Sequence, residues 1–158
     1  MAIEAAEPLR ARLEALVSLL GGRLIHLTPG SRVLYHAAGA YASQYINVLL
    51  KEAAKLWATF GASEADAMHA MLPLVRGTLA AIEAAGITKA MPGPISRGDT
   101  ATIERHVAGI GALDPNVQRL YCELALRCVP MAIERGALDD DKAARLERVL
   151  HEARRSAG

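Results

Sequence analysis

One face of the long helical pattern at residues 31–60 carries side chains that could bind and protonate a substrate. Successive residues of an α-helix are rotated by about 100° around its axis. With this rotation, a cation, an imidazole, a hydroxyl and an amide fall on one face. They are Arg32, His36, Ser43 and Asn47. Such groups can orient a carbonyl or a carboxylate, and a histidine can exchange a proton near neutral pH, so His36 is a candidate general acid. The alternative interpretation is a solvated or interface face on which His36 forms an internal hydrogen bond.

The segment Met91–His106 could hold a second site, because it places prolines, glycines, an arginine and an aspartate between helical patterns. Arg97 could clamp a carboxylate or a phosphate through two hydrogen bonds. Asp99 is better suited to cap the helix that follows. The alternative is a rigid turn that ends in this cap. Arg76 is a further candidate, since it follows the kink expected near Pro73 and could point into a cleft.

Other chemistry has little support in the sequence. There is no Gly-rich dinucleotide fingerprint after a strand, no Walker loop, no H-E-x-x-H motif and no G-x-S-x-G motif. Cys122 and Cys128 lie 6 residues apart on a predicted helix and face different directions, so they are expected to be small buried hydrophobic residues. No Cys/His spacing fits zinc, and no metal site is predicted. His106 is expected to be an ordinary surface residue.

Composition favours a single helical domain in the cytoplasm. The 158 residues are 52% hydrophobic but only 4% aromatic, a balance that favours helices over strands. The net charge of +1 is mixed along the chain, which gives no broad surface for nucleic acid or an anionic membrane. The N-terminus does not resemble a signal peptide, and no apolar run reaches the roughly 18 residues of a membrane span.

The N-terminal residues 1–30 predict a piece of an α/β domain. An amphipathic helix is expected at Glu7–Leu20, and Arg23–Leu27 is the best strand candidate. No strand is predicted before the helix, and a helix followed by a single strand cannot form a sheet alone. Residues 1–30 therefore look like the last helix and strand of a larger α/β domain.

Residues 31–158 are predicted to form an all-α bundle of five helices. Ser31 is expected to cap the first, a single helix to Phe60 that would be about 45 Å long. A compact bundle cannot cover so long a helix, so this helix is expected to form much of a homodimer interface. A loop is expected at Ile87–Gly98. Capping signals place the other four helices at residues 63–85, 99–111, 115–136 and 140–153.

Three motifs resemble one bacterial protein family. They are L-Y-H-A-A-G-A-Y-A-S-Q-Y at Leu34–Tyr45, L-P-L-V-R-G-T-L at Leu72–Leu79 and G-P-I-S-R-G-D-T-A-T-I-E-R-H at Gly93–His106. Their order and spacing are similar to those of a family that joins a Rossmann-like domain to a helical domain called domain of unknown function 2520. Two positions depart from the family's usual residues. Gln44 stands where asparagine is usual, and Pro92 stands where threonine is usual.

The resemblance implies a fold and a set of site residues. The family looks like distant kin of pyrroline-5-carboxylate reductase, ketopantoate reductase and 6-phosphogluconate dehydrogenase, so the bundle is expected to resemble the C-terminal domain of the last. In such relatives the Rossmann domain binds NADP, while the helical domain closes over the substrate and forms the dimer. Arg32 and His36 would then face the nicotinamide. Substrate contacts are expected from Arg32, Ser43, Gln44, Asn47, Arg76 and Arg97.

The nucleotide-binding half of such a protein is not found in these residues. The expected function is that of the helical substrate-binding and dimerisation domain of an NAD(P)-dependent oxidoreductase, inactive by itself. NADP or NAD is implied by the family only, and neither is expected to bind this chain alone. The expected partners are a second copy and, for a fragment, the missing Rossmann-like domain. The alternative is a non-catalytic helical homodimer or a small-ligand-binding module.

Overall fold

The computed structural model describes residues 1–157 and forms two compact units, Met1–Lys51 and the residues from Glu52 onward. Almost all of the regular structure is helical, as the sequence predicts for an all-α bundle. The elements in chain order are β1 (Ala2–Ile3), α1 (Leu9–Leu19), β2 (Ile25–His26), α2 (Arg32–Ala42), α3 (Gln44–Ala58), α4 (Glu64–Ala85), α5 (Ile87–Ala90), a 3-10 turn (Ile95–Arg97), α6 (Thr100–Leu113), α7 (Pro115–Glu134) and α8 (Asp140–Ser156).

The first unit begins with a small βαβ arrangement. β1 and β2 are parallel, with Ala2 opposite Ile25, and α1 connects them. The Ile25 amide donates to the Met1 carbonyl at 2.9 Å, and the Leu27 amide donates to the Ile3 carbonyl at 2.7 Å. The expectation that no strand precedes the first helix was therefore wrong. A strand of two residues is too short to show the alternation by which strands are recognised in sequence.

The expected single helix at residues 31–60 is two helices in the structure, so that prediction was wrong. The break lies at Ser43, whose φ of −132° and ψ of −73° leave the helical region. Serine favours helix ends because its hydroxyl competes for backbone hydrogen bonds. Ser31 precedes α2, but its hydroxyl donates to the Thr28 carbonyl at 2.7 Å and does not cap the helix, contrary to expectation.

The caps expected for the later helices are present. Ser63 and Asp66 form a reciprocal capping box at the start of α4, which continues through Pro73. The Asp99 carboxylate accepts from the Thr102 amide at 3.1 Å and begins α6. The Asp139 carboxylate accepts from the Lys142 amide at 2.8 Å and begins α8. Each of these helices therefore begins next to a residue whose side chain caps it.

The expected loop at Ile87–Gly98 contains α5 and the 3-10 turn, and it is anchored to the bundle. Ile95 and Ser96 are buried, and the 3-10 turn packs against α7. The Arg135 guanidinium donates to the Met91 carbonyl at 2.7 Å. Gly98 has a φ of +68°, and a Cβ there would lie 2.9 Å from the Leu138 side chain. The segment is therefore a rigid turn with a fixed shape.

The hydrophobic core of the second unit lies among α6, α7 and α8. Its fully buried large side chains are Ile103, Cys122, Val129, Leu146 and Leu150. Cys122 and Cys128 are free thiols, buried and half-buried, and burial raises the pKa of both. The expectation that they are apolar packing residues is confirmed.

Among residues 1–157, no helix is long and apolar enough to cross a membrane.

Candidate functional site

Three of the predicted site residues line one open cavity in the first unit. The cavity lies along α2 and the start of α3 and has a volume of about 550 Å³. His36, Ser43 and Gln44 line it together with small residues, among them Gly39. A Cβ at Gly39 would meet no atom within 4 Å, so the glycine leaves open space beside the imidazole. His36 and Ser43 of the predicted polar face therefore lie in the wall of an accessible depression.

Arg32 and Asn47 lie on the same two helices but are not among the residues that line this cavity. The helical periodicity that places Asn47 with His36 assumes one continuous helix. Because the backbone leaves the helical region at Ser43, that periodicity does not extend into α3. The grouping of Arg32 and Asn47 with His36 thus stays a prediction from sequence.

The cavity is exposed to solvent. No residue of α2 is buried, and His36, Ser43 and Gln44 are all exposed. An imidazole in this setting can bind a polar ligand and exchange a proton, but nothing within the first unit excludes water from the ligand. A reaction that needs a dry site would require a further protein surface to close over α2.

Arg97 and Arg76 belong to the second unit, and both are exposed. Arg97 ends the 3-10 turn, two residues before the cap of α6. Hydrogen bonds from the Thr102 hydroxyl and the Thr102 amide lower the pKa of Asp99, and the charges of Arg105 and Arg97 contribute further. Asp99 is therefore a helix cap, as expected. Arg76 lies on α4, three residues after Pro73.

Sequence reasoning missed a second polar cluster, which joins α6 to α7. The Nδ1 atom of His106 lies 3.0 Å from the Tyr121 hydroxyl, and the two rings meet edge to face with centroids 5.9 Å apart. Burial raises the pKa of Tyr121 to about 12. The two residues are 15 positions apart on different helices, and no spacing rule connects such a pair. His106 was expected to be a surface residue, and it is exposed although its ring has this partner.

The described residues 1–157 contain no group of three or more His, Cys, Asp or Glu side chains that could hold a metal ion. The candidate side chains named above are imidazoles, hydroxyls, amides and guanidinium groups. Such groups bind and orient polar or anionic ligands and can transfer protons.

The structure defines the class as a helical domain with a small parallel βαβ arrangement at its start. The sequence profile of a family described as a domain of unknown function (DUF2520) matches residues 1–128. The chain belongs to this family. The matched region includes all three motifs that carry the resemblance, as well as β1, α1 and β2. No curated protein and no solved structure gives a significant match to the chain.

Proposed function

We propose that this chain is the helical substrate-binding and dimerisation domain of an NAD(P)-dependent oxidoreductase, in which a separate Rossmann-like domain binds the cofactor. The observation that carries the proposal is the parallel pair of β1 and β2 joined by α1. Parallel strands occur almost only in larger α/β sheets whose faces are covered by helices. Two strands of two residues each fit the edge of such a sheet better than a complete one.

The open His36 cavity supports the same proposal. Its polar groups could hold a carbonyl or carboxylate substrate, with His36 as the general acid and Ser43 and Gln44 as hydrogen-bonding partners. Arg32, Asn47, Arg76 and Arg97 are the further substrate contacts that kinship with 6-phosphogluconate dehydrogenase would imply. A cofactor domain closing over α2 would supply the exclusion of water that hydride transfer favours.

The test is to express the chain together with the segment encoded directly upstream of Met1. Calorimetry should detect NADP or NAD binding to this longer protein, and a Gly-rich fingerprint should follow a strand in the added segment. His36→Ala should leave the cofactor Kd unchanged while slowing reduction or oxidation of a substrate by roughly 100-fold or more, the usual range for loss of a general acid. The oxidoreductase proposal fails if no fingerprint and no cofactor binding are found.

A non-catalytic helical homodimer is the second candidate. The observation that favours it is the exposed apolar surface of the first unit, which includes Val33, Leu34 and Tyr41. Exposed apolar patches of this kind mark interaction surfaces. An unaltered turnover in the His36→Ala variant of the longer protein would support this candidate over a catalytic role for the cavity.

A further inference from the structure

A groove in the second unit combines an apolar floor with a row of polar groups. It lies between the end of α3 and the surfaces of α6 and α7, and its volume is about 700 Å³. Leu56, Ile110 and Leu113 contribute apolar surface, and Arg105, His106 and Tyr121 contribute polar groups. Pockets of roughly 300–1,000 Å³ with apolar walls and a few placed polar groups are typical of small-molecule sites. The groove uses none of the residues assigned to the His36 cavity.

The His106 and Tyr121 side chains present a hydrogen-bond donor to this groove. A tyrosine hydroxyl is protonated at neutral pH, and burial raises the pKa of Tyr121 further, so the hydroxyl can donate to Nδ1 of His106 across their 3.0 Å separation. When Nδ1 accepts, a neutral imidazole carries its proton on Nε2. When the Tyr121 hydroxyl donates, the pair therefore leaves Nε2–H as a donor.

Arg105 adds a permanent positive charge to the same lining. One of its guanidinium nitrogens donates to the Thr102 hydroxyl at 2.9 Å, which holds the side chain in place. Its charge also helps to lower the pKa of Asp99, so the Asp99 carboxylate offsets part of that charge. A guanidinium has further N–H donors that can meet a second acceptor. None of the described residues that line the groove is acidic.

We propose that this groove binds a small amphipathic carboxylate. Its carboxylate accepts hydrogen bonds from His106 Nε2 and from Arg105, and its apolar part packs against Leu56, Ile110 and Leu113. A neutral apolar ligand would use neither the Arg105 nor the His106 donor, and a doubly charged anion without an apolar part would gain nothing from the apolar floor. The binding site is independent of the proposed oxidoreductase function.

Gly109 gives a way to close the groove without disturbing the fold. It lines the groove, and a Cβ there would meet no atom within 4 Å. Gly109→Leu therefore places a side chain in the space that the ligand would occupy. Ala108→Leu is the matched control, because Ala108 is exposed on the same helix and does not line the groove.

The experiment is a titration of the ¹⁵N-labelled full chain with phenylacetate and, in parallel, with phenylacetamide, followed by NMR. Phenylacetate at millimolar concentration should shift the amide signals of Gly109, Ile110 and Leu113. Phenylacetamide should bind roughly tenfold more weakly or worse, because it lacks the charge-assisted hydrogen bonds. Arg105→Gln should remove most of this preference, and Gly109→Leu should abolish the shifts while Ala108→Leu retains them.

The proposal is overturned by three results. Each of these is sufficient: phenylacetate causes no localised shifts, the shifts persist in Gly109→Leu with their original affinity, or the carboxylate and the amide bind equally. Groove signals that move with protein concentration in the absence of ligand, and cease to do so in Gly109→Leu, would show that a second copy of the chain covers the groove. His36→Ala should leave phenylacetate binding unchanged, so failure here and failure of the oxidoreductase proposal are distinguishable.

Discussion

At the scale of single residues, α6 contains two glycines that face different surroundings. Gly109 is exposed, and a Cβ there would meet nothing within 4 Å. A Cβ at Gly111 would lie 2.6–2.8 Å from the amide group of Gln118. That amide is buried and donates to the Val107 carbonyl at 2.9 Å, so it cannot move aside without losing the bond. The small residue at 111 therefore allows α7 to lock onto α6 through Gln118.

We expect opposite effects from alanine at these two positions. Gly111→Ala should destabilise the protein by about 1–3 kcal/mol, because it forces the Gln118 amide from its place or shifts the helix. Gly109→Ala should stabilise it by about 0.5–1 kcal/mol, because alanine is the better helix former and meets open space. Urea unfolding of each variant measures both values.

A double-mutant cycle separates the steric effect of Gly111 from its helix propensity. In a Gln118→Ala background, Gly111→Ala should cost less than it does in the natural chain, because the clashing amide is gone. An equal cost in both backgrounds would show that the close approach to Gln118 has no energetic role. Gly109→Ala should have the same effect in either background.

Contacts of this kind could not be predicted from the sequence. The spacing of Gly109 and Gly111 is visible in the chain, but the neighbour that distinguishes them comes from another helix. The same holds for His106 and Tyr121, whose contact depends on how α6 packs on α7. His36 and Ser43 were predicted from helical spacing, which holds as far as the break at Ser43, whereas Gln44 was predicted only from the family resemblance.

At the scale of elements, aspartates fix the starts of the last helices and connect stability to pH. Asp99 and Asp139 cap α6 and α8, and hydrogen bonds to Thr102 and Lys142 lower the pKa of each. A carboxyl group whose pKa is lower in the folded chain stabilises it at neutral pH. That contribution decreases as the pH falls below about 4, the ordinary range for aspartate, and is gone once the pH is below the folded pKa.

We therefore expect the double variant Asp99→Asn with Asp139→Asn to reduce the acid dependence of stability. Asparagine caps a helix about as well as aspartate does, so stability at neutral pH should change little. Between neutral pH and pH values below about 4, the double variant should lose less unfolding free energy than the natural chain. Urea denaturation at a series of pH values checks this. Identical pH profiles for the two proteins would contradict it.

The caps of α4, α6, α7 and α8 were predicted correctly, unlike the Ser31 cap, because they depend on residues that are close in sequence. Ser63 with Asp66, Asp99, and Asp114 before Pro115 each carry the signal within a few positions. The break at Ser43 was missed for the opposite reason, since the apolar periodicity continues on both sides of it. The backbone change is confined to one residue whose type is compatible with either a helix or its end.

At the scale of the molecule, the first unit lacks an interior of its own. Of residues 1–51, all of which are described, only Val17 is buried. Val33, Leu34 and Tyr41 on α2 are about three-quarters exposed, and the rings of Tyr41 and Tyr45 meet edge to face at 5.0 Å. We predict that this apolar surface binds a partner, and a second copy of the chain is the partner that the sequence predicts.

The exposed apolar side chains of α2 allow a dimer formed through this helix to be tested. Between residues 31 and 60, the large exposed apolar side chains lie on α2 and the first turns of α3, with Phe60 as the exception. Leu34→Glu should therefore weaken self-association by roughly tenfold or more, because a carboxylate would be buried in an apolar contact. Sedimentation equilibrium measures this change. Ala144→Glu on the exposed part of α8 adds the same charge away from α2 and should leave association unaltered. A natural chain that stays monomeric at high concentration, or equal effects of the two variants, would contradict a dimer formed through α2.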